Sequence, residues 1–346
     1  MSRAIFVTRR GGPEVLADRE LPEPNPGPGE VAIRVMAAGV NFADLLGRMG
    51  LYPEAPPIPF VPGYEVAGTV TAAGEGVADF APGDRVLALT RFAGYAESAV
   101  TLASMAFRIP DSVPFDEAAA FPVNYATADL ALFRVGALID GERVLIHGGA
   151  GGVGSAAVRL ARRRDVTIFA TAGSPEKVGF MRREGVHHPL DHHREDVRAA
   201  VLGATGGDGV HLVIDARGGR GLRESLGLLA PLGRVVAFGV SEMVVGPRRS
   251  ILRVLRALIA IPKAKPVDLM MKNRGILGLN LLPLFGRADL AARFRSEVLP
   301  LLQSGEARPV IHARLPLTAA GAAEAHRLLH ARANTGKIVL IREPSR

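Results

Sequence analysis

Six consecutive residues, Gly149-Ala150-Gly151-Gly152-Val153-Gly154, carry the clearest chemistry in this sequence. The spacing Gly149-x-Gly151-x-x-Gly154 follows an apolar run at 143–147 and opens a helical pattern over 155–164. Between a strand and a helix each glycine has a task. The first permits a tight turn, the second lets backbone approach a pyrophosphate, and the third lets the helix pack against the strand. The phosphates then rest on N–H groups left free at the helix N-terminus. This loop predicts a bound dinucleotide.

The strand predicted at 166–170 runs on through Thr171-Ala172-Gly173-Ser174 without an Asp or Glu. A carboxylate at the end of that strand would hydrogen-bond the ribose 2′-hydroxyl of NAD. Its absence, with Gly173, Ser174, Lys177 and His192 placed to meet a 2′-phosphate, points to NADPH. The chain has no cysteine, so disulfides, thiolate nucleophiles and cysteine-held metals are excluded. The pairs His187-His188 and His192-His193 fall in a polar stretch expected to be a solvated loop.

The elements that must position these residues read as two domains. Residues 1–125 are β-rich, with short strands predicted at 31–35, 66–70 and 83–89 between Gly and Pro turns. From about 126 the texture alternates: strands at 143–147, 166–170, 210–215 and 234–239, with helices such as 155–164 and 175–184 between them. Such alternation predicts an α/β fold, a Rossmann doubly wound parallel sheet over 126–267. From about Asp268 the chain is expected to return to the first domain and finish in a helix at 319–333 and a strand at 337–341.

The formal charge of +8 comes mostly from scattered arginines with few aromatics among them, which argues against a nucleic-acid partner. No apolar stretch is long enough to span a bilayer, and the N-terminus lacks a signal-peptide core, so a cytoplasmic protein is expected. One cluster stands out: Arg248, Arg249, Arg253, Arg256, Lys263 and Lys265 flank an apolar run. It fits a basic amphipathic helix on a membrane surface or one face of a packed helix, and the packed helix is the preferred reading.

Nearly the whole chain resembles the zinc-independent quinone oxidoreductases of the medium-chain dehydrogenase/reductase superfamily. The matching stretches are Gly39-Val40-Asn41-Phe42-Ala43-Asp44, Gly50-Leu51-Tyr52, Pro62-Gly63-Tyr64-Glu65, Gly83-Asp84-Arg85-Val86 and Gly94-Tyr95-Ala96-Glu97 in the first domain. Gly141-Glu142-x-x-Leu145 leading into the glycine loop, and Asn334-Thr335-Gly336-Lys337 near the end, match as well. Val123-Asn124-Tyr125-Ala126-Thr127-Ala128 and Gly278-Leu279-Asn280-Leu281-Leu282 look most like the branch of the synaptic-vesicle membrane protein homologue. The resemblance implies a GroES-like catalytic domain at 1–125 and 268–346 and a homodimer that pairs near the segment 275–282. It also implies cofactor contacts from Thr127, Phe238, Gly239, Leu279, Asn280 and Lys337. Three positions depart from the pattern: His192 stands for a tyrosine, Arg159 for a glutamine and Asp129 for an aromatic residue. An acid at 129 repels a pyrophosphate unless it points away.

In zinc-dependent relatives, the positions of Asn41 and Tyr64 hold metal ligands, and neither residue replaces a thiolate–imidazole pair. Hydride transfer without a metal needs hydrogen-bond donors where charge builds on the substrate oxygen. The resemblance offers Asn41, Tyr52 and Tyr64 for that role, with Asn41 foremost. The expected activity is NADPH-dependent, zinc-independent hydride transfer to a quinone or an enone. The alternatives are an enoyl-thioester reductase and a low-turnover, NADPH-binding membrane-associated or regulatory protein.

Overall fold

The computed structural model describes residues 1–244, 246, 252, 256 and 259–343. Arg248, Arg249 and Arg253 of the basic cluster lie outside the described residues, while Arg256, Lys263 and Lys265 are exposed. The chain divides into two compact units, one chiefly from Met1–Ala126 and Leu281–Arg346, the other chiefly from Thr127–Val245 with its last segment ending at Asn280.

The first unit begins with an antiparallel hairpin, β1 (Ser2–Val7) and β2 (Leu16–Leu21). Strand β3 (Glu30–Val40) leads into helix α1 (Phe42–Arg48), and β4 (Glu65–Ala73), β5 (Arg85–Leu89), β6 (Ser98–Leu102) and β7 (Ala106–Arg108) follow. Helices α2 (Phe115–Ala120) and α3 (Pro122–Asp129) lead toward the second unit.

The second unit opens on β8 (Arg143–His147) and α4 (Gly152–Ala161), then β9 (Thr167–Ala172) and α5 (Pro175–Arg183). It continues through β10 (His188–Asp191), α6 (Val197–Ala204), β11 (Val210–Asp215), α7 (Gly219–Leu226) and β12 (Leu229–Ala237). It closes with α8 (Pro266–Lys272) and β13 (Gly275–Gly278). The chain then adds β14 (Ile311–Pro316), α9 (Ala319–His330) and β15 (Lys337–Ile341) to the first unit.

In the first unit seven strands share a sheet ordered β14-β15-β3-β4-β5-β7, with β6 also on β3. Val31, Ile33, Val35, Val66, Val86, Ile338 and Leu340 are buried there and form its core with Ile5 and Val7 of the hairpin. In the second unit six strands run in the order β10-β9-β8-β11-β12-β13, every pair parallel. Val144, Leu145 and Ile146 of β8 are wholly buried, as a strand covered on both faces requires. From β8 the chain steps one way through β9 and β10, then the other way through β11, β12 and β13. The reversal lies between β8 and β11, the place where doubly wound sheets take their ligands.

The expected doubly wound sheet and β-rich unit are therefore both present, with three differences. Strand β13 sits on the edge of the parallel sheet and extends the second unit to Asn280, past the return expected near Asp268. Strand β12 starts at Leu229, five residues before the expected run, and its register shifts against β11. His188 belongs to β10 rather than to a solvated loop, its ring stacked 4.2 Å from that of Phe169.

Candidate functional site

The glycine loop has the shape its spacing demands. A Cβ on Gly149 would lie 2.7 Å from Ala170 Cβ and 2.8 Å from Met181 Sδ, so this glycine lets the turn pack on β9 and α5. A Cβ on Gly154 would meet Gly148 O at 2.1 Å, which forces α4 against the loop. At Gly151 the nearest atom, Gly148 O, is 3.3 Å away, and that backbone face is open. Gly151, Gly152 and Val153 are half-buried, while Ala150 is buried. The loop thus leaves room at the position where a pyrophosphate must approach and fills the others, which fits a dinucleotide.

Because all six strands are parallel, their carboxyl ends share one edge. Gly173 and Ser174 follow β9, Phe238 and Gly239 follow β12, and Leu279 and Asn280 follow β13. The structure brings these expected cofactor residues to the edge that carries the glycine loop. Ser174 caps α5, its hydroxyl accepting from Lys177 N at 3.4 Å. Thr127 and Asp129 lie on α3 and are both buried. Arg159 is held by Glu184 through two hydrogen bonds of 2.7 and 3.0 Å. Beneath the edge, His147, Ser225 and Asp215 combine the residue types of a hydrolase triad. Ser225 Oγ, however, donates to Asp215 Oδ2 at 2.6 Å, and both residues are fully buried, so no nucleophile is presented.

Two buried polar networks surround the expected donors of the first unit. In one, Lys337 Nζ forms an ion pair with Glu65 Oε1 and donates to Asn41 Oδ1 at 2.6 Å and Asn124 Oδ1 at 3.4 Å. An ammonium has three protons, and these three partners engage them all. Asn41 Nδ2 donates to Glu65 Oε1 at 2.8 Å, and Val123 N–H donates to Glu65 Oε2 at 2.7 Å. Lys337, expected at the cofactor, thus holds Glu65 and fixes the orientation of the Asn41 amide. Asn41, expected as the foremost donor, has its amide engaged on both sides.

Asp44 organises the other network. Its carboxylate accepts Asn41 N–H at 2.8 Å, Gly63 N–H at 2.9 Å and the Tyr95 hydroxyl at 2.9 Å. It thereby joins the segments that carry Asn41 and Tyr64. Burial outweighs those donors and raises the Asp44 carboxyl to about 7. Next to Gly63 the Tyr64 hydroxyl is buried with no hydrogen-bond partner among the described residues. The Tyr64 ring packs edge-on to Tyr52 at 6.2 Å and against Phe92 at 5.0 Å. Phe92 and Ala93 hold φ of 67° and 62°, left-handed backbone that costs energy in non-glycine residues and gathers at functional sites. Hydrogen bonds from Ala93 N to Val61 O and from Tyr95 N to Pro62 O keep that turn against the Tyr64 segment. Asn41, Tyr52 and Tyr64 therefore sit in one region of the first unit. Glu65, Asp44 and Phe92 complete that region. Asp44 lies in the matching stretch at 39–44, whereas Phe92 carries no signal in the sequence, its left-handed backbone and ring contact with Tyr64 arising only in the fold.

Among the described residues there is no group of three or more His, Cys, Asp or Glu that could hold a metal, and no helix is long and apolar enough to cross a membrane. Comparison with known families matches residues 27–111 to the alcohol dehydrogenase GroES-like domain and 152–281 to the zinc-binding dehydrogenase domain. The synaptic vesicle membrane protein VAT-1 homolog of Rattus norvegicus is 38% identical over 347 residues, 99% of this chain and 85% of that protein. The quinone oxidoreductase of Homo sapiens is 32% identical over 344 residues, 99% of this chain and 98% of that protein. The structure of Escherichia coli quinone oxidoreductase complexed with NADPH superposes with a TM-score of 0.86 at 28% identity, covering 98% of this chain and 99% of that one.

Proposed function

Since this chain belongs to the quinone oxidoreductase family of the medium-chain dehydrogenase/reductase superfamily, we propose that it is an NADPH-dependent, zinc-independent reductase of quinones or enones. NADPH is the cofactor, with the loop of Gly149, Ala150, Gly151, Gly152 and Val153 taking its pyrophosphate. Gly173, Ser174, Lys177 and His192 meet its 2′-phosphate, and Thr127, Phe238, Gly239, Leu279 and Asn280 hold the remainder. When bound, it supplies a hydride from the nicotinamide C4.

The observation that carries the chemical reading is the Tyr64 hydroxyl, a buried donor without a partner among the described residues. An orphan buried hydroxyl costs stability, which a substrate oxygen accepting its hydrogen bond offsets. Tyr64 thus donates to the oxygen on which charge builds as hydride adds, the role a Lewis acid plays in zinc relatives. Tyr52 flanks it, and Asn41 acts through its orientation, set by Lys337 and Glu65. With no cysteine in the chain and Asn41 and Tyr64 at the positions of zinc ligands in relatives, the donor set does not suit zinc. We further propose a homodimer through the open edge of β13, beside the exposed Val267, Met270, Met271 and Leu277.

The test is oxidation of NADPH against a panel of quinones, enones and enoyl thioesters, with and without a chelator. Turnover of quinones or enones that survives chelation supports the proposal. Loss of turnover on chelation refutes the metal-free mechanism, and turnover confined to enoyl thioesters selects that alternative.

A further inference from the structure

We propose that His193 joins His192 as a specificity-determining pair on the cofactor's 2′-phosphate, and that the pair makes the preference for NADPH over NADH depend on pH. The inference rests on the NADPH reading above. It starts at Gly173, the first residue past the carboxyl end of β9. A Cβ at Gly173 would lie 3.2 Å from His193 Nε2 and 3.3 Å from Cε1 and Nε2 of His192. Two imidazoles therefore converge on one backbone position, which any side chain would crowd. Their ring centroids are 4.4 Å apart with planes tilted by 57°, and both residues are exposed.

Backbone hydrogen bonds hold the pair in place. His192 N–H donates to Ala172 O at 3.0 Å, and His193 N–H donates to Asp191 Oδ1 at 3.0 Å. The charged neighbours are Glu176 and Lys177 on α5, Asp191, Arg194 and Glu195 on β10 and the turn after it, and His147 at the end of β8. The acids among them make contacts as follows. Asp191 receives His193 N–H and lies 3.8 Å from Arg194, Glu195 accepts Asp191 N–H at 2.7 Å, and Glu176 is hydrogen-bonded to the Ser174 side chain. Lys177 adds a cation in the first turn of α5.

Two adjacent exposed imidazoles repel each other once both are charged, and an anion between them reverses that cost. The 2′-phosphate is such an anion. Its second ionisation lies near 6, so it is chiefly a dianion between pH 6.5 and 8. A dianion within contact favours the imidazolium, so binding NADPH takes up protons. Affinity for NADPH then strengthens as pH falls from 8 toward 6.5, whereas NADH has no group for the pair to grip.

The experiment titrates NADPH and NADH into the full chain at pH 6.5, 7.2 and 8.0, following nicotinamide fluorescence. Calorimetry in two buffers of different ionisation enthalpy measures the proton uptake. For the wild type, Kd for NADPH is expected to fall by roughly tenfold from pH 8.0 to 6.5, the limit for one proton being about tenfold per pH unit, while NADH changes by less than about twofold. His192→Gln/His193→Gln removes the charge at two exposed positions and should abolish both the slope and the proton uptake. Lys177→Ala should weaken NADPH at every pH and leave the slope. The proposal is overturned if wild-type NADPH affinity is independent of pH, or if the double variant keeps the slope. Preference of the wild type for NADH at all three pH values would instead sink the NADPH reading itself.

Discussion

Replacing Lys337 by Met tests the buried network around Asn41. Lys337 is 3% exposed and Glu65 fully buried, and the ammonium supplies the only cation bonded to that carboxylate among the described residues. Without it, Glu65 keeps Asn41 Nδ2 at 2.8 Å and Val123 N–H at 2.7 Å, two neutral donors for a buried charge. Breaking a buried ion pair from one side costs about 3–5 kcal/mol. Glu65→Gln strands the ammonium and should cost a similar amount. The double variant Glu65→Gln/Lys337→Met removes both charges, so it should recover at least about 2 kcal/mol relative to the sum of the singles. Guanidinium unfolding of the full chain measures all four species. NADPH titration provides the second readout, because a Lys337 whose protons are all engaged within the first unit should not alter cofactor affinity when lost. Turnover should fall instead, as the Asn41 amide loses the partner that orients it. A Lys337→Met protein within about 1 kcal/mol of wild type that binds NADPH tenfold more weakly would refute this account and return Lys337 to the cofactor.

Three further outcomes follow from the same geometry. Tyr64→Phe should lower kcat by about 10²-fold, the loss of one donor to the developing oxyanion, yet leave NADPH affinity unchanged and the fold as stable or slightly more so, since it deletes an orphan hydroxyl; unchanged kcat would exclude Tyr64 as the donor. Asp44, raised to about 7 in the fold, holds its proton to higher pH there than in the unfolded chain, which ionises near 3.9. Its contribution is full below about 4 and declines as pH rises toward 7, by of order 4 kcal/mol at about 1.4 kcal/mol per unit, so the unfolding midpoint of wild type should fall with pH more steeply than that of Asp44→Asn, and parallel profiles would contradict it. Gly154→Ala drives a Cβ to 2.1 Å from Gly148 O and should lower the unfolding midpoint and lose NADPH binding with it, whereas Gly151→Ala, with 3.3 Å of clearance, should keep the midpoint and still weaken NADPH because its methyl occupies the face the pyrophosphate approaches; unchanged NADPH affinity in Gly151→Ala, read by fluorescence titration, would argue that the loop is not a phosphate cradle.

What sequence revealed, and what it hid, follows the range of the interactions involved. Strands β8, β11 and β15 lie where their apolar runs predicted, at Arg143–His147, Val210–Asp215 and Lys337–Ile341, because each is an unbroken buried segment between turns. Strand β13, Gly-Ile-Leu-Gly at a half-exposed edge, has no periodic signal, so its place in the parallel sheet is not legible from the sequence. In β10, His188 and Pro189 mask a strand that only its pairing with β9 reveals. The glycine loop was legible because its constraints are local, each glycine answering to neighbours within the same βαβ unit. The engagement of Asn41 was not, since its partners Glu65 and Lys337 stand 24 and 296 residues away. The raised Asp44 carboxyl was hidden for the same reason, as burial belongs to the assembled sheet rather than to the motif.

The satisfaction of those distant partners bears on the choice of substrate. Asn41 is held by Glu65 and Lys337, Lys337 has no proton to spare, and Asp44 receives three donors. Within this region that leaves the phenol of Tyr64 as the donor without a partner among the described residues, and burial raises its pKa far above the ordinary tyrosine value. A neutral phenol that resists ionisation donates one hydrogen bond and supplies no positive charge. An unactivated ketone concentrates a full alkoxide on its oxygen as hydride arrives, which calls for a metal or a cation. A quinone or an enone spreads that charge through conjugation, so a single neutral donor suffices. The reading of Tyr64 therefore predicts that turnover tracks acceptor conjugation: quinones and enones should be reduced, and their saturated ketone counterparts should not. Equal rates on both would mean that a stronger electrophile than Tyr64 is at work.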